Sequence, residues 1–207
     1  MHRSGALAGG LTGAGQRLLT ADGLHAPSVF TVTGDIASGG HLRMGSATLQ
    51  TSGDHTAGGE VLLNTGSSLS GADTLPFSGT LNWLGGMMTG TGTPQIGTGG
   101  RWTVAGSVVL QDARKLPNEG TLIPTDGSVS IQNGATLTNN ATMDLQGDGS
   151  WANAGGSAAH WVFNNLGLLK KSGGGGSSVF SDVDFNNSGT VTIAQGQIVV
   201  NGVALIP

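Results

Sequence analysis

Apolar and polar residues alternate along this chain in short bursts, and the bursts recur. Val29-Phe30-Thr31-Val32-Thr33 alternates as a strand does, and Gly34-Asp35 then turns the chain. Further on, Phe185-Asn186-Asn187-Ser188-Gly189-Thr190-Val191 is matched by figures beginning at Phe163, Leu137 and Leu116, and more loosely at Ile96, Leu75, His55 and Ile36. Successive starts are 19, 20, 21, 20, 21, 26 and 22 residues apart, the period of one short coil of a solenoid.

Counting each repeat from its first residue as position 0, position 4 holds Gly40, Gly59, Gly79, Gly100, Gly120, Ala141, Gly167 and Gly189. Position 6 holds Leu42, Val61, Leu81, Trp102, Leu122, Met143, Leu169 and Val191, apolar throughout. Position 8 is apolar except at Lys171. Positions 6 and 8 share one face of a strand, so each coil has a strand with one buried side. The glycine ahead of it marks either a backbone bend with positive φ or a place where a Cβ would strike the neighbouring coil. A second glycine (Gly66, Gly85, Gly106, Gly127, Gly147, Gly173, Gly196) precedes a second strand in most coils.

The pattern predicts an all-β fold, a right-handed parallel β-helix (β-solenoid) of about eight coils with ~21 residues per coil. Residues 1–28 read as an irregular or capping segment and residues 29–207 as one β-helix domain. Position 2 runs Ser38, Ala57, Phe77, Thr98 and then Asn118, Asn139, Asn165, Asn187. The four asparagines predict a ladder of stacked side-chain amides that fixes the register of the last coils. The single long spacing predicts a loop protruding near Ala152 to His160.

Composition narrows the function. Glycine supplies 39 of the 207 residues, only 4% are aromatic and 10% are charged, so the interior must be thin and built by stacking. A net charge of −4, with no basic cluster larger than Arg114-Lys115 or Lys170-Lys171, argues against nucleic acid as a partner. There is no cysteine, and no apolar run long enough for a membrane-spanning helix, so no membrane insertion is expected.

The stretch from Leu81 to Gly92, with Asn118 to Leu122, Leu169 to Gly174 and Phe185 to Val191, resembles the β-solenoid repeats of large secreted bacterial surface proteins. These are adhesin-like and autotransporter-passenger-like proteins, similar in style to filamentous haemagglutinin. The resemblance implies a non-catalytic structural or adhesive segment, located extracellularly or at the cell surface and forming part of a longer chain. It implies a host or environmental glycan or a surface protein as partner, and no cofactor.

The alternative reading is a carbohydrate-active β-helix enzyme or a carbohydrate-binding module, with its site at Asp112, Arg114, Lys115 and Asp126. The simpler account of those residues is a salt-bridged surface turn. Asp182 and Asp184 would face one side if extended, but a calcium or acid/base site needs more converging oxygens. His2, His25, His41, His55 and His160 share no template position, so no metal site is expected. Trp83, Trp102 and Trp151 fall at inward positions, with Trp161 on the face of Phe163. Gly173 to Gly176 reads as a flexible corner, and Thr89-x-Thr91-x-Thr93 has no counterpart in neighbouring repeats.

Overall fold

The computed structural model describes residues 5–7, 13, 15–20, 28–36, 39–154 and 160–205. The strands of the first coils are β1 (Gly5–Leu7), β2 (Gln16–Thr20), β3 (Ser28–Val32), β4 (His41–Gly45), β5 (Ala47–Thr51), β6 (Glu60–Leu63) and β7 (Ser68–Gly71). The middle is built from β8 (Thr74–Phe77), β9 (Thr80–Trp83), β10 (Gly86–Met88), β11 (Thr93–Ile96), β12 (Arg101–Leu110), β13 (Lys115–Asn118) and β14 (Thr121–Ile131). The last coils contain β15 (Thr136–Asn139), β16 (Thr142–Leu145), β17 (Ser150–Asn153), β18 (Trp161–Asn165), β19 (Leu168–Lys171), β20 (Ser177–Asn187), β21 (Thr190–Ile193) and β22 (Gln197–Leu205).

Every described strand pairing is parallel, and each joins a strand to its counterpart one coil away. The result is a β-solenoid of about eight turns with three faces. The first face stacks β2, β4, β6, β9, the start of β12, the start of β14, β16, β19 and β21. The second stacks β1, β3, β5, β7, β10, the ends of β12 and β14, β17 and the starts of β20 and β22. The third stacks Ile36, Ala57, β8, β11, β13, β15, β18 and the ends of β20 and β22. At about 4.8 Å per coil the body is roughly 40 Å long.

The interior follows from the template. Leu42, Val61, Leu81, Trp102, Leu122, Met143, Leu169 and Val191 pair one above the other in register, and all but the terminal Val191 are buried. All four tryptophans are buried. Towards the C-terminal end they belong to an aromatic stack in which Trp151 lies 6.3 Å from Trp161, and Phe163 lies 5.4 Å from Phe180 at 7° between ring planes. Near the middle, Phe77 meets Trp102 edge-on at 5.0 Å. Ring pairs of this kind add about 0.5–1.5 kcal/mol beyond the area they bury, which helps a chain so poor in aromatics.

The position-4 glycines answer to crowding. A Cβ on Gly79 would sit 2.1 Å from the carbonyl oxygen of Gly59, and one on Gly100 would sit 2.1 Å from that of Phe77. Neither has a positive φ; before Gly100 that bend falls on Gly99, at φ +80°. Carbonyl-to-carbonyl stacking at this corner leaves no room for a side chain.

In residues 1–28, β1 and β2 pair in parallel with β3 and β4, so solenoid pairing reaches into the segment expected to be irregular or capping. Of the loop expected near Ala152 to His160, residues 155–159 lie outside the described residues; Ala152 belongs to β17 and His160 directly precedes β18. The inward column read as Ser38, Ala57, Phe77, Thr98 is instead Ile36, Ala57, Phe77, Ile96, continuing into Asn118. Thr98 lies exposed in a turn two residues longer than its neighbours, and Ser38 lies outside the described residues.

Candidate functional site

The charged cluster Asp112, Arg114, Lys115 and Asp126 does not converge. Asp112 and Ala113 turn the corner between the second and third faces with φ of 64° and 55°, and an Asp112 carboxylate oxygen accepts the Gly90 N–H at 2.9 Å. Arg114 points inward and is buried. Its Nε donates to the Gly92 carbonyl at 3.1 Å and its Nη1 to the Leu69 carbonyl at 2.9 Å, so one guanidinium ties two earlier coils to its own. Desolvation lowers the Arg114 pKa to about 10, with Asp112 opposing the shift, and the group stays charged at neutral pH. Lys115 opens β13 as an exposed residue, while Asp126 lies at the corner between the first and second faces and accepts the Asp148 N–H at 3.4 Å. The surface salt-bridge account therefore fails at Arg114, which solvates buried carbonyls instead.

Asp182 and Asp184 also part company. Asp182 has φ of 52° at a bulge in β20, whereas Asp184 sits within a regular stretch of that strand, 3.0 Å from His160 Nδ1.

Asn118, Asn139, Asn165 and Asn187 are inward neighbours in register on the third face. The Nδ2 of each donates to the Oδ1 of the next, at 2.7, 2.7 and 2.6 Å. The second hydrogen of each goes to a backbone carbonyl across the corner: Thr142 from Asn118, Leu168 from Asn139 and Thr190 from Asn165. Asn118, Asn139 and Asn165 are completely buried. This arrangement supports the corner and offers nothing to a ligand.

The residue that sequence reasoning missed is Lys171, also completely buried. Its ammonium meets the carbonyls of Gly147 and Gly173 and the carboxylate of Asp148 at 2.9 Å, with Ser178 Oγ at 3.1 Å. The other Asp148 oxygen accepts the Gly176 N–H at 2.9 Å, so the run Gly173 to Gly176 is tied down at a corner expected to be flexible. The signal was present in the sequence, since Lys171 is the single charged residue in the position-8 column.

Among the described residues, hollows open on the first and second faces. On the first face, a hollow of about 180 Å³ is lined by Gln16, His41, Arg43 and Glu60 over Leu42 and Leu62. His41 Nδ1 is held by Glu60, whose other oxygen accepts from Asn82 Nδ2 at 2.8 Å. On the second face, a hollow of about 500 Å³ lies over Thr48, Ser68, Ser70, Met87, Thr89 and Ser107. From β5 to β20 no Asp, Glu, Lys, Arg or His stands in a second-face strand, whereas the first face carries His41, Arg43, Glu60, Arg101, Asp144 and Lys170. Outward neighbours Thr48, Ser68, Met87, Val109, Ser130, Ala152 and Ser181 form one column along the rod. Alternate residues of the second strands spell this surface out in the sequence.

Among the described residues no group of three or more His, Asp or Glu is placed to hold a metal ion, and no helix is long and apolar enough to cross a membrane. Compared with protein-family models, with curated proteins and with solved structures, the chain matches none.

Proposed function

We propose that this chain is a non-catalytic structural and adhesive segment of an extracellular bacterial surface protein, a rod that keeps its second face on display. The observation that carries the reading is where the described charges are spent. Arg114, Lys171, Asp112 and Asp148 hold one coil to another, and the hollow of about 500 Å³ lies on a strand surface with no charge. General acid/base and metal chemistry both require converging ionisable groups. The extracellular setting rests on the likeness of the repeats to those of secreted surface proteins.

The competing reading, a carbohydrate-active enzyme, is favoured by one observation: Glu60 and Asn82 orient His41 beside the first-face hollow, as a general base would be oriented. A panel of neutral and uronate-containing polysaccharides, assayed for new reducing ends and for unsaturated products, separates the two. Retention of the protein on a polysaccharide or cell surface without turnover is the expected result. Turnover that disappears in His41→Ala would overturn it.

A further inference from the structure

We propose that the second-face hollow binds an uncharged polysaccharide, lying across the strands of β5, β7, β10 and the end of β12; this rests on the display reading above and names what the displayed face takes. The hollow of about 500 Å³ falls within the range of small-ligand sites, roughly 300–1,000 Å³. Gly66 and Gly86, at φ of 78° and 77°, line it beside Thr65 and Ser67. Its polar lining is almost all hydroxyl: Thr48, Ser68, Ser70, Thr89 and Ser107. Each hydroxyl offers one donor and two acceptor sites and can rotate, which suits a partner that is itself covered in hydroxyls. Met87, 39% exposed between Ser68 and Val109 in the column, supplies a pliable apolar contact for the C–H face of a sugar.

Other occupants fit less well. Nucleic acid and acidic glycans are held by Lys and Arg, and these strands contain neither. A peptide added as a strand needs an unpaired edge, yet β7 and β10 lie inside the stack with partners on both sides. A second copy placed face to face would cover about seven strands of four residues. At about 4.8 Å per strand and 3.3 Å per residue, that is roughly 900 Å² in total, below the roughly 1,200 Å² of a standard stable interface.

Affinity electrophoresis of the full chain through gels containing soluble neutral polysaccharides (a β-glucan, a mannan, a xyloglucan) and polygalacturonate tests the proposal at low and high salt. Retardation by at least one neutral polysaccharide, unchanged by salt, is expected. The variants Ser68→Glu and Met87→Lys should weaken it by about tenfold or more, while Arg101→Ser on the first face leaves it intact; circular dichroism verifies that all three retain the β fold. Retardation by polygalacturonate alone, or equal retardation of wild type and both second-face variants, overturns the proposal. So does a dimer in light scattering that Met87→Lys abolishes, because that assigns the face to a second copy. If no neutral polysaccharide retards the protein although it still adheres to cells without turnover, the ligand assignment fails and the display reading survives. Turnover lost in His41→Ala fails the display reading and leaves the second-face result to be read independently.

Discussion

Lys171 illustrates how much one side chain can hold together here. The interior column places it between Leu145 and Ile193, where an apolar residue would fit, yet its ammonium reaches four oxygens on two successive coils. Removing it leaves the part-buried Gly173 carbonyl and the buried Ser178 Oγ without this donor and the Gly147 carbonyl with Ser178 alone, although the partly exposed Asp148 can turn to water. Lys171→Met preserves the length and apolar stem of the side chain, so it isolates the loss of the charge-assisted bonds. It should lower unfolding stability by about 2–4 kcal/mol, read as a drop in the urea midpoint without a change in slope. A variant as stable as wild type would show that the cage contributes nothing net. Arg114 was equally misread from the sequence. Charge next to a turn normally signals solvent, but Arg114 stands two residues before the inward Leu116 and four before Asn118 and shares their face, while Lys115 alternates outward.

At the scale of strands, the stacking was largely legible because the glycines and the apolar column repeat nearly in step; Gly79 and Gly100 mark the corner since a Cβ there would strike a carbonyl. Register in the third-face column was legible where the turn to the corner glycine is short, at Ala57, Phe77 and the asparagines, and was missed at Ile36 and Ile96. From Phe77 or Asn118 the chain reaches the corner glycine in two residues, whereas from Ile96 it takes four, through Gly97-Thr98-Gly99-Gly100, with the Gly100 N–H donating to the Gly97 carbonyl at 2.8 Å. A glycine-rich turn of variable length permits several alignments, and the glycine-anchored count put Thr98 in the column instead of Ile96. In the short turn the asparagine does the work of closing the corner: Asn118 Oδ1 accepts the Gly120 N–H at 3.1 Å while Nδ2 bridges to the next coil. Asn165→Leu should therefore destabilise despite its greater apolarity. It removes the donors to Asn187 and Thr190 and leaves one Nδ2 hydrogen of Asn139 against hydrocarbon, the other still bonded to the Leu168 carbonyl. A loss of about 2–4 kcal/mol is expected from unsatisfied buried polar groups, measured as a fall in chemical-denaturation midpoint. An unchanged midpoint would remove the ladder from the account of register.

At the scale of the rod, carboxylates join coils outside the core, some at corners and some along the first face. Asp35 accepts from the backbone and then the hydroxyl of Thr56 one coil on, and both bonds hold its pKa below the usual range. Burial pushes Asp144 up, but hydrogen bonds from Ser172, Gln146 and Lys170 together outweigh it and leave the net shift downward. Asp148 is lowered first by its bond to Lys171 and then by the Gly176 N–H. Each of these groups binds its proton less readily in the folded chain than in the unfolded one, so each adds stability that is complete above the unfolded carboxylate pKa of about 4 and is lost as pH falls through the lower folded value. Because stacked coils are stabilised mainly by their nearest neighbours, weakening bonds in separated coils should lower the stability of the entire array rather than fray one end. Urea midpoints should thus be level from about pH 6 to 8 and decline steeply below about pH 4. Asp144→Asn, which cannot titrate, should reduce stability at neutral pH and flatten part of the acid decline. A midpoint that rises on acidification, or an acid profile unaltered by Asp144→Asn, would mean that these carboxylates do not hold the coils together.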